Sequence, residues 1–200
     1  MESEAERVIG LYQRHAIDWD KDRGRNLIEK TWLDRFLALI PPNAFILDIG
    51  CGAGEPIAKY FIEHGCRVTG IDSSSSLIAM CRERFPDQEW IVTDMRTLSL
   101  DRRFDGILAW DSFFHLCQED QRQMFPIFRR HSQPKAALMF TSGHLHGEAI
   151  GTFNGEPLYH GSLDEAEYQS LLHQNGLDVA SHAVEDPRCD HHTVWLAQIR

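Results

Sequence analysis

Three closely spaced glycines with acidic residues on both sides give the first indication of chemistry in this chain. Gly50, Gly52 and Gly54 follow Asp48 and precede Glu55. Glycine has no Cβ, so the backbone can turn sharply here and approach a ligand closely. The spacing does not fit the GxGxxG dinucleotide fingerprint, because Glu55 stands where its third glycine would fall and would oppose a pyrophosphate. The turn therefore favours a ligand without phosphate groups.

Two more acids follow apolar runs further along the chain. Asp72, followed by Ser73, can accept hydrogen bonds from both hydroxyls of a ribose. Asp94 can accept one from the N6 amine of an adenine, while Met95 packs on the ring. An acid after a strand is often only a helix cap or a turn former, so the glycine turn upstream is what favours a ligand. S-adenosylmethionine (SAM), a cationic nucleoside without phosphate, fits these groups.

The segments that must hold these residues alternate between strand and helix patterns. An amphipathic helix is predicted over 26–39 and ends at Pro41 and Pro42, and a short apolar strand over 44–49 leads into the glycine turn. Further strands are predicted over 67–71, 88–92, 104–110, 136–141, 177–184 and 192–199, and helices over 56–64, 76–84, 119–130 and 164–174. The pattern predicts an α/β fold with a mostly parallel sheet covered on both faces, and the last two strands forming an antiparallel hairpin at one edge.

In order and spacing, these motifs resemble the class I SAM-dependent methyltransferase family, in its small-molecule, single-domain branch. The cofactor loop of the family is similar to LDIGCGAG, which includes Cys51. Its ribose and adenine contacts are similar to GID and TDM, and its fourth strand with the loop after it is similar to FDGILAWDSFFHL. The resemblance implies a three-layer Rossmann-like doubly wound sheet, SAM as cofactor and S-adenosylhomocysteine (SAH) as product. It also implies one methyltransferase domain over 1–200, with a helical cap over 1–40 and a core over 41–200.

The stretch from residue 12 to residue 23 resembles the cap segment of small-molecule methyltransferases. Tyr12 and Trp19 would then fold over the cofactor, where an aromatic face near a sulfonium makes a cation–π contact. Arg23 can meet the methionine carboxylate or an acidic substrate. The alternative is an ordinary amphipathic helix that covers the sheet.

The loop after the fourth strand would lie beside the transferred methyl, next to Trp110. Transfer is an in-line displacement at an activated methyl, so alignment and exclusion of water matter most. A base is needed only for a nucleophile whose proton has a high pKa, and His115 is the best-placed candidate. The alternative is a histidine that packs against Phe114. The sequence Trp110-Asp111-Ser112-Phe113 replaces the Asn/Asp-Pro-Pro-aromatic motif of base-directed N-methyltransferases, which argues against that branch.

The acceptor is expected to contact the loop after the fourth strand and the segment 143–161. That segment is predicted to be a long loop between a strand and a helix, and loops of that length often act as lids. The candidate acceptor residues are Asp111, His144, Tyr159 and His160. His144 and His146 together with His191 and His192 suggest a zinc or iron site, but no triad containing an acid is evident, so no metal is predicted.

Composition narrows the class of protein. The 200 residues carry a net charge of −10, and an acidic surface repels nucleic-acid backbones. The five cysteines are odd in number and form no CxxC motif, which argues against a disulfide framework and favours a reducing cytoplasm. The acidic N-terminus lacks the apolar region of a signal peptide, and no apolar run suggests a membrane span. A small-molecule acceptor is the expected partner, and its identity and the oligomeric state are left open.

Two other functions are compatible with parts of the pattern. An NAD(P)-dependent oxidoreductase would explain the glycines, but Glu55 and the lack of a second glycine motif disfavour it. A non-catalytic SAM-binding module would keep the cofactor loop without an acceptor pocket, and the polar and aromatic segment 143–161 argues mildly against it.

Overall fold

The computed structural model describes residues 3–200. The helices are α1 (Glu4–Arg14), α2 (Ala16–Arg23), α3 (Lys30–Leu37), α4 (Ile57–Glu63), α5 (Ser75–Arg84), α6 (Gln118–His131) and α7 (Glu165–Gln174). The strands are β1 (Phe45–Ile49), β2 (Arg67–Asp72), β3 (Glu89–Val92), β4 (Phe104–Ala109), β5 (Ser132–Ser142), β6 (Gly147–Phe153), β7 (Glu156–Ser162), β8 (Leu177–Asp186) and β9 (His192–Ile199).

One seven-stranded sheet forms the centre of the molecule, in the order β3-β2-β1-β4-β5-β9-β8. Strands β1 to β5 run parallel, and β9 lies antiparallel between β5 and β8. The predicted α/β fold class, including the antiparallel hairpin at the edge, is confirmed. Because β1 pairs with both β2 and β4, the strand order reverses at β1 and β4, and a crevice opens beyond their carboxyl ends. The glycine turn and the loop after β4 lie side by side at this crevice.

Apolar side chains fill both faces of the sheet. On the face under α6 and α7, the rings of Phe113 and Phe140 lie 5.2 Å apart, and Phe140 stacks on Trp195 at 6.0 Å. On the opposite face Phe36 packs on the backbone of Gly106, where a Cβ would come within 2.5 Å of its ring. Because the core reaches Phe113, it holds the loop after β4 against the sheet.

The prediction of a long loop over 143–161 is wrong. Strands β6 and β7 form an antiparallel hairpin that pairs from Gly147 with Ser162 to Phe153 with Glu156. Its turn is Asn154-Gly155, both with positive φ (49° and 79°), the dipeptide that two-residue hairpin turns prefer. The signal for the hairpin was therefore present in the sequence.

Other element ends differ from the predictions by a few residues. The first amphipathic helix begins at Lys30 rather than at 26, and β5 begins at Ser132, directly after α6, rather than at 136. Within residues 3–200, no helix has the length and apolar character that crossing a bilayer requires.

Candidate functional site

The glycine turn is fixed to the end of β2 by its own backbone. The amides of Gly50 and Cys51 donate to the Ile71 carbonyl at 2.8 and 3.0 Å. Gly50 and Gly52 have φ values of +73° and +54°, which side chains with a Cβ rarely adopt. A Cβ on Gly50 would lie 2.2 Å from that of Ser112, so this glycine lets the turn meet the loop after β4.

Two carboxylates, the buried one of Asp48 and the partly buried one of Asp72, lie beside this turn. Asp72 accepts hydrogen bonds from the Gly52 amide at 3.0 Å and the Ser74 amide at 2.8 Å, while its burial raises its pKa to about 6. Burial, and then the charge of Asp72, raises the pKa of Asp48 to about 7. Ionised carboxylates in such surroundings are stabilised by a bound cation.

Two adjoining cavities bring together nearly all the residues predicted to bind the cofactor. The main cavity encloses about 90 Å³, and its predicted lining residues are Tyr12, Trp19, Gly50, Gly52, Asp72, Ser73, Asp94, Met95, Asp111 and His115. The second cavity encloses about 40 Å³, and its predicted lining residues are Trp19, Arg23, Asp48, Gly50, Cys51, Trp110 and Asp111. Gly54 lies apart from both, against the ring of Phe85 at 3.1 Å from where its Cβ would be.

Asp94 is engaged by an arginine that the sequence analysis did not consider. Arg96 donates to both carboxylate oxygens of Asp94 and also contacts Asp120 at 3.2 Å. Partial burial opposes ionisation of Asp94, yet the bonds from Arg96 outweigh it and lower its pKa. Asp94 lines the main cavity as a fixed anion, and its contact with an adenine stays a prediction.

The N-terminal helices close the crevice from outside. Tyr12 on α1 and Trp19 on α2 meet edge to face at 6.2 Å, and the Trp19 ring lies directly on Gly52. Arg23, at the end of α2, forms an ion pair with the fully buried Glu29. Burial raises the pKa of Glu29, and its second oxygen has no hydrogen-bond partner within residues 3–200.

The predicted base, His115, is buried and held in one tautomer. Its Nδ1 lies 2.8 Å from the Tyr159 carbonyl, which only accepts, so Nδ1 carries the proton. Its Nε2 therefore accepts from the Tyr12 hydroxyl at 2.9 Å. Burial lowers the pKa of His115 to about 4, so the ring is neutral near pH 7.

A third cavity lies beside the hairpin and contains two of the predicted acceptor residues. It encloses about 380 Å³, and His144 and His160 are on its wall with Phe114 and Glu148. The His160 ring lies 4.9 Å from the ring of His115, so this cavity adjoins the main one. Tyr159 is not on this wall itself, but its hydroxyl donates to Glu148, which is, at 2.9 Å.

Three of the four histidines considered as metal ligands, His144, His191 and His192, line one surface pocket, but within residues 3–200 the four do not form a group with metal-ligand spacing. His144 lies 3.7 Å from Glu185, and His192 pairs with Asp111 at 2.9 Å. Within residues 3–200, the one group with metal-ligand spacing is His146, Asp164 and Glu167. Asp164 there caps α7 by accepting from the Glu167 amide at 2.8 Å, and Arg122 pairs with the Glu167 carboxylate at 2.6 Å, so both acids already have partners.

The tip of the β6–β7 hairpin contacts the corner between α1 and α2. Glu156 accepts from Arg14 at 2.5 Å and from His15 at 2.6 Å, and Asn154 donates to Asp18 at 2.9 Å. Phe153 stacks on Tyr12 at 6.0 Å. We call this set of contacts the clasp, and through Tyr12, which lines the main cavity, it ties the hairpin to one wall of that cavity.

Two more residues of the site were missed or misread from sequence. Thr141 on β5 receives a hydrogen bond from the Asp111 amide at 2.9 Å. His192, which the sequence analysis considered only as one of a set of metal ligands, pairs with Asp111. The antiparallel direction of β9 was the available signal, because it brings the start of this strand to the carboxyl ends of β4 and β5.

Comparisons with known proteins agree with this geometry. Residues 46–135 match a family described as a methyltransferase domain. Malonyl-[acyl-carrier protein] O-methyltransferase from Enterobacter lignolyticus (strain SCF1) is 28% identical over 140 residues, covering 68% of this chain and 50% of that protein. Trans-aconitate 2-methyltransferase from Shigella flexneri is 34% identical over 113 residues, which cover 55% of this chain and 42% of that protein. The chain thus spans half or less of the length of these relatives.

Solved structures share the fold over nearly the whole chain. The 1,6-didemethyltoxoflavin-N1-methyltransferase of Burkholderia thailandensis, with bound 1,6-didemethyltoxoflavin and SAH, has a TM-score of 0.76 at 17% identity and covers 96% of this chain and 87% of its own. Magnesium protoporphyrin IX methyltransferase from Synechocystis PCC 6803, with bound SAM, has a TM-score of 0.75 at 16% identity, with coverage of 99% and 98%.

Proposed function

We propose that this chain is a class I SAM-dependent methyltransferase that transfers a methyl group from SAM to a small-molecule acceptor, and the match of residues 46–135 to a methyltransferase domain supports this. The observation that carries this proposal is the meeting of the glycine turn with the buried carboxylate of Asp48 and the partly buried carboxylate of Asp72 at the point where the strand order reverses. A diphosphate would be repelled there, whereas a sulfonium and an ammonium are attracted.

The residues on the cavity walls match the parts of SAM. Asp72 would accept from the ribose hydroxyls, Met95 would pack on the adenine, and Arg23 would pair with the methionine carboxylate. Trp19 and Gly50, which line both cavities, would lie near the sulfonium. SAM supplies an activated methyl group, and the protein aligns the acceptor with it and excludes water.

Binding requires the cap to move outward. The main cavity encloses about 90 Å³, while sites for ligands of this size commonly measure about 300–1,000 Å³. Trp19 covers Gly52 and would have to swing away as the ligand enters. The clasp contacts are mostly at the surface, so their release costs little free energy.

We propose His115 as the base, acting through Tyr12. The Tyr12 hydroxyl donates to Nε2 of His115, so its oxygen can take a proton from the acceptor as its own proton moves to His115. The low pKa of His115 makes it a weak base. A weak base is sufficient for the proton of the acceptor, because the attacking atom becomes positively charged as it is methylated and its proton becomes more acidic.

We propose one methyltransferase domain over 1–200 with its cap at 1–40, an acceptor held between Asp111, His144 and His160, and a reducing cytoplasmic setting suggested by the odd number of cysteines. The curated relatives, by their names, act on a malonyl-acyl-carrier protein and on trans-aconitate, which supports a small metabolite or a carried acyl group as the acceptor.

Titration calorimetry with SAH and NAD tests the cofactor. We expect SAH to bind and NAD not to bind, and the Asp72→Asn variant to bind SAH roughly 10–100-fold more weakly, because it loses charged hydrogen bonds to the ribose. Asp87→Asn, which alters an exposed acid away from the cavities, should bind like the wild type. Binding of NAD without SAH would reject the proposal.

The role of His115 is tested by His115→Asn, whose amide can still donate to the Tyr159 carbonyl but offers Tyr12 no ring nitrogen. We expect turnover to fall by about 100-fold while SAH affinity stays within about twofold. Turnover is measured as SAH release with an acceptor found in a metabolite screen. Since the pKa of His115 is about 4, this ring stays neutral between about pH 6 and pH 8, so any change in the wild-type rate over that range is expected to come from other groups, such as Asp48 and Asp72.

His173→Asn, which alters an exposed histidine on α7, serves as the matched control and should leave turnover unchanged. An undiminished rate in His115→Asn would leave alignment alone as the mechanism.

A further inference from the structure

Several contacts fix the position of Asp111 in the loop after β4. Its backbone has a φ of 47°, and its amide donates to Thr141 Oγ1 at 2.9 Å. His192 Nε2 lies 2.9 Å from one carboxylate oxygen and 3.1 Å from the other. These contacts fix the direction in which the carboxylate points.

His192 is itself oriented by two neighbours. Its Nδ1 donates to the Cys189 carbonyl at 2.7 Å, and its ring stacks on Trp110 at 5.4 Å. Partial burial alone would lower its pKa, but the hydrogen bond and charge of Asp111 outweigh this and raise it to about 9. At pH 7 the pair is therefore an imidazolium bound to a carboxylate.

In the proposed function, Asp111 lies beside the place where the atoms react. Of the residues that line the main cavity, only Trp19, Gly50 and Asp111 also line the second one, within the described chain. If the nucleoside occupies the main cavity and the amino-acid end occupies the second, the sulfonium and its methyl lie where the two meet. Asp111 is the acid at that junction.

Tyr12, which lines the main cavity together with Asp111, also presents a hydrogen-bond acceptor. Tyr12 gives its proton to His115, so its oxygen turns lone pairs toward the cavity. Burial, and after it the charge of Asp111, raises the pKa of Tyr12, which places the two groups within electrostatic reach of each other. An acceptor molecule between them must supply hydrogens to both.

We propose that Asp111, positioned by His192, binds the reacting group of the acceptor, and that this group is an amine. This rests on the proposed function and names its substrate class. An amine nitrogen offers one N–H to Asp111 and another to Tyr12 and keeps its lone pair for attack. A hydroxyl has a single hydrogen, and an ionised carboxylate has none and is repelled by Asp111.

These groups account for every bond and proton that changes in the transfer. The nitrogen lone pair forms the new bond to the methyl carbon as the carbon–sulfur bond breaks, and its electrons remain on sulfur as a neutral thioether. The nitrogen, now positively charged, loses a proton to the Tyr12 oxygen as the Tyr12 proton moves to His115 Nε2. Asp111 stays ionised throughout and stabilises the positive charge on nitrogen.

Sinefungin tests this proposal without a known acceptor. It is a SAM analogue that carries an amine in place of the transferred methyl and a carbon in place of sulfur. Calorimetry should show sinefungin binding to the wild type about tenfold or more tightly than SAH. Asp111→Asn should remove most of that preference and leave SAH affinity within about twofold, because asparagine tolerates the positive φ.

Two further variants complete the design. His192→Gln, in which Asp111 is present but less firmly held, should reduce the sinefungin preference by at least about threefold, an effect that loss of fold stability alone would not produce in a ratio of affinities. Asp190→Asn removes the same charge from an exposed neighbour of His192 and should keep the full preference.

The outcomes separate the two proposals. If SAH and sinefungin bind the wild type equally, or if Asp111→Asn and His192→Gln both keep the preference, the assignment of Asp111 and of the amine is overturned while the cofactor assignment stands. If neither compound binds, the proposed function itself fails and this inference fails with it. Should Asp111→Asn not fold, the wild-type ratio and His192→Gln still decide.

Discussion

Gly50→Ala is expected to weaken SAH binding by about 100-fold or more in titration calorimetry. The residue has a φ of +73°, and a Cβ there would lie 2.2 Å from Ser112 Cβ and 2.7 Å from Ser112 Oγ. Ser112 cannot give way easily, because it is buried and its hydroxyl donates to the Ile49 carbonyl at 2.7 Å. The turn or the loop after β4 must therefore shift, and both line the cavities.

Gly155→Ala is the matched control for backbone strain. This glycine, in the β6–β7 turn, has a φ of +79°, and a Cβ there would meet nothing within 4 Å. The Gly155→Ala variant should lose a small amount of stability because of the positive φ, and it should bind SAH normally. Normal SAH binding by Gly50→Ala would show that the glycine turn is not part of the binding site.

Phe113→Ala is expected to lower the free energy of unfolding by about 3–5 kcal/mol in denaturant titrations. Phe113 is fully buried, and its ring lies 5.2 Å from Phe140, 5.9 Å from Phe128 and 6.0 Å from Phe125. Its removal would leave a cavity among rings that cannot collapse into it.

Phe45→Ala provides the comparison, because the Phe45 side chain is 47% exposed at the start of β1. It should cost less than about 1 kcal/mol. Equal losses for the two variants would contradict the account of the core. Because Phe113 precedes His115 by two residues, Phe113→Ala should also disturb the site, so its stability is best measured without ligand.

The fold was largely predictable from sequence because its signals are local. The alternation of apolar strands with amphipathic helices and the final pair of strands gave the α/β sheet with its antiparallel edge. The hairpin at Gly147–Ser162 was predicted as a loop although Asn154-Gly155 marks its turn, because its length and its polar and aromatic residues are also typical of a long loop.

The site was predictable only where a local motif carries it. Asp72 and the glycine turn follow strands directly, so their place at the carboxyl edge could be inferred. The pairing of Asp111 with His192 spans 81 residues, and that of Arg14 with Glu156 spans 142. Such contacts depend on how the cap, the hairpin and β9 pack, which no short pattern encodes.

The clasp couples ligand exchange to a separation of distant parts of the chain. A nucleoside that leaves the crevice must pass the cap, and the cap moves outward only when Glu156 and Asn154 detach from the helix corner that bears His15. Release of these surface contacts therefore adds a step to the dissociation that the affinity for the glycine turn already slows. Raising the ionic strength, which screens exposed ion pairs, should shorten the residence time of the nucleoside with little effect on the rate of the chemical step.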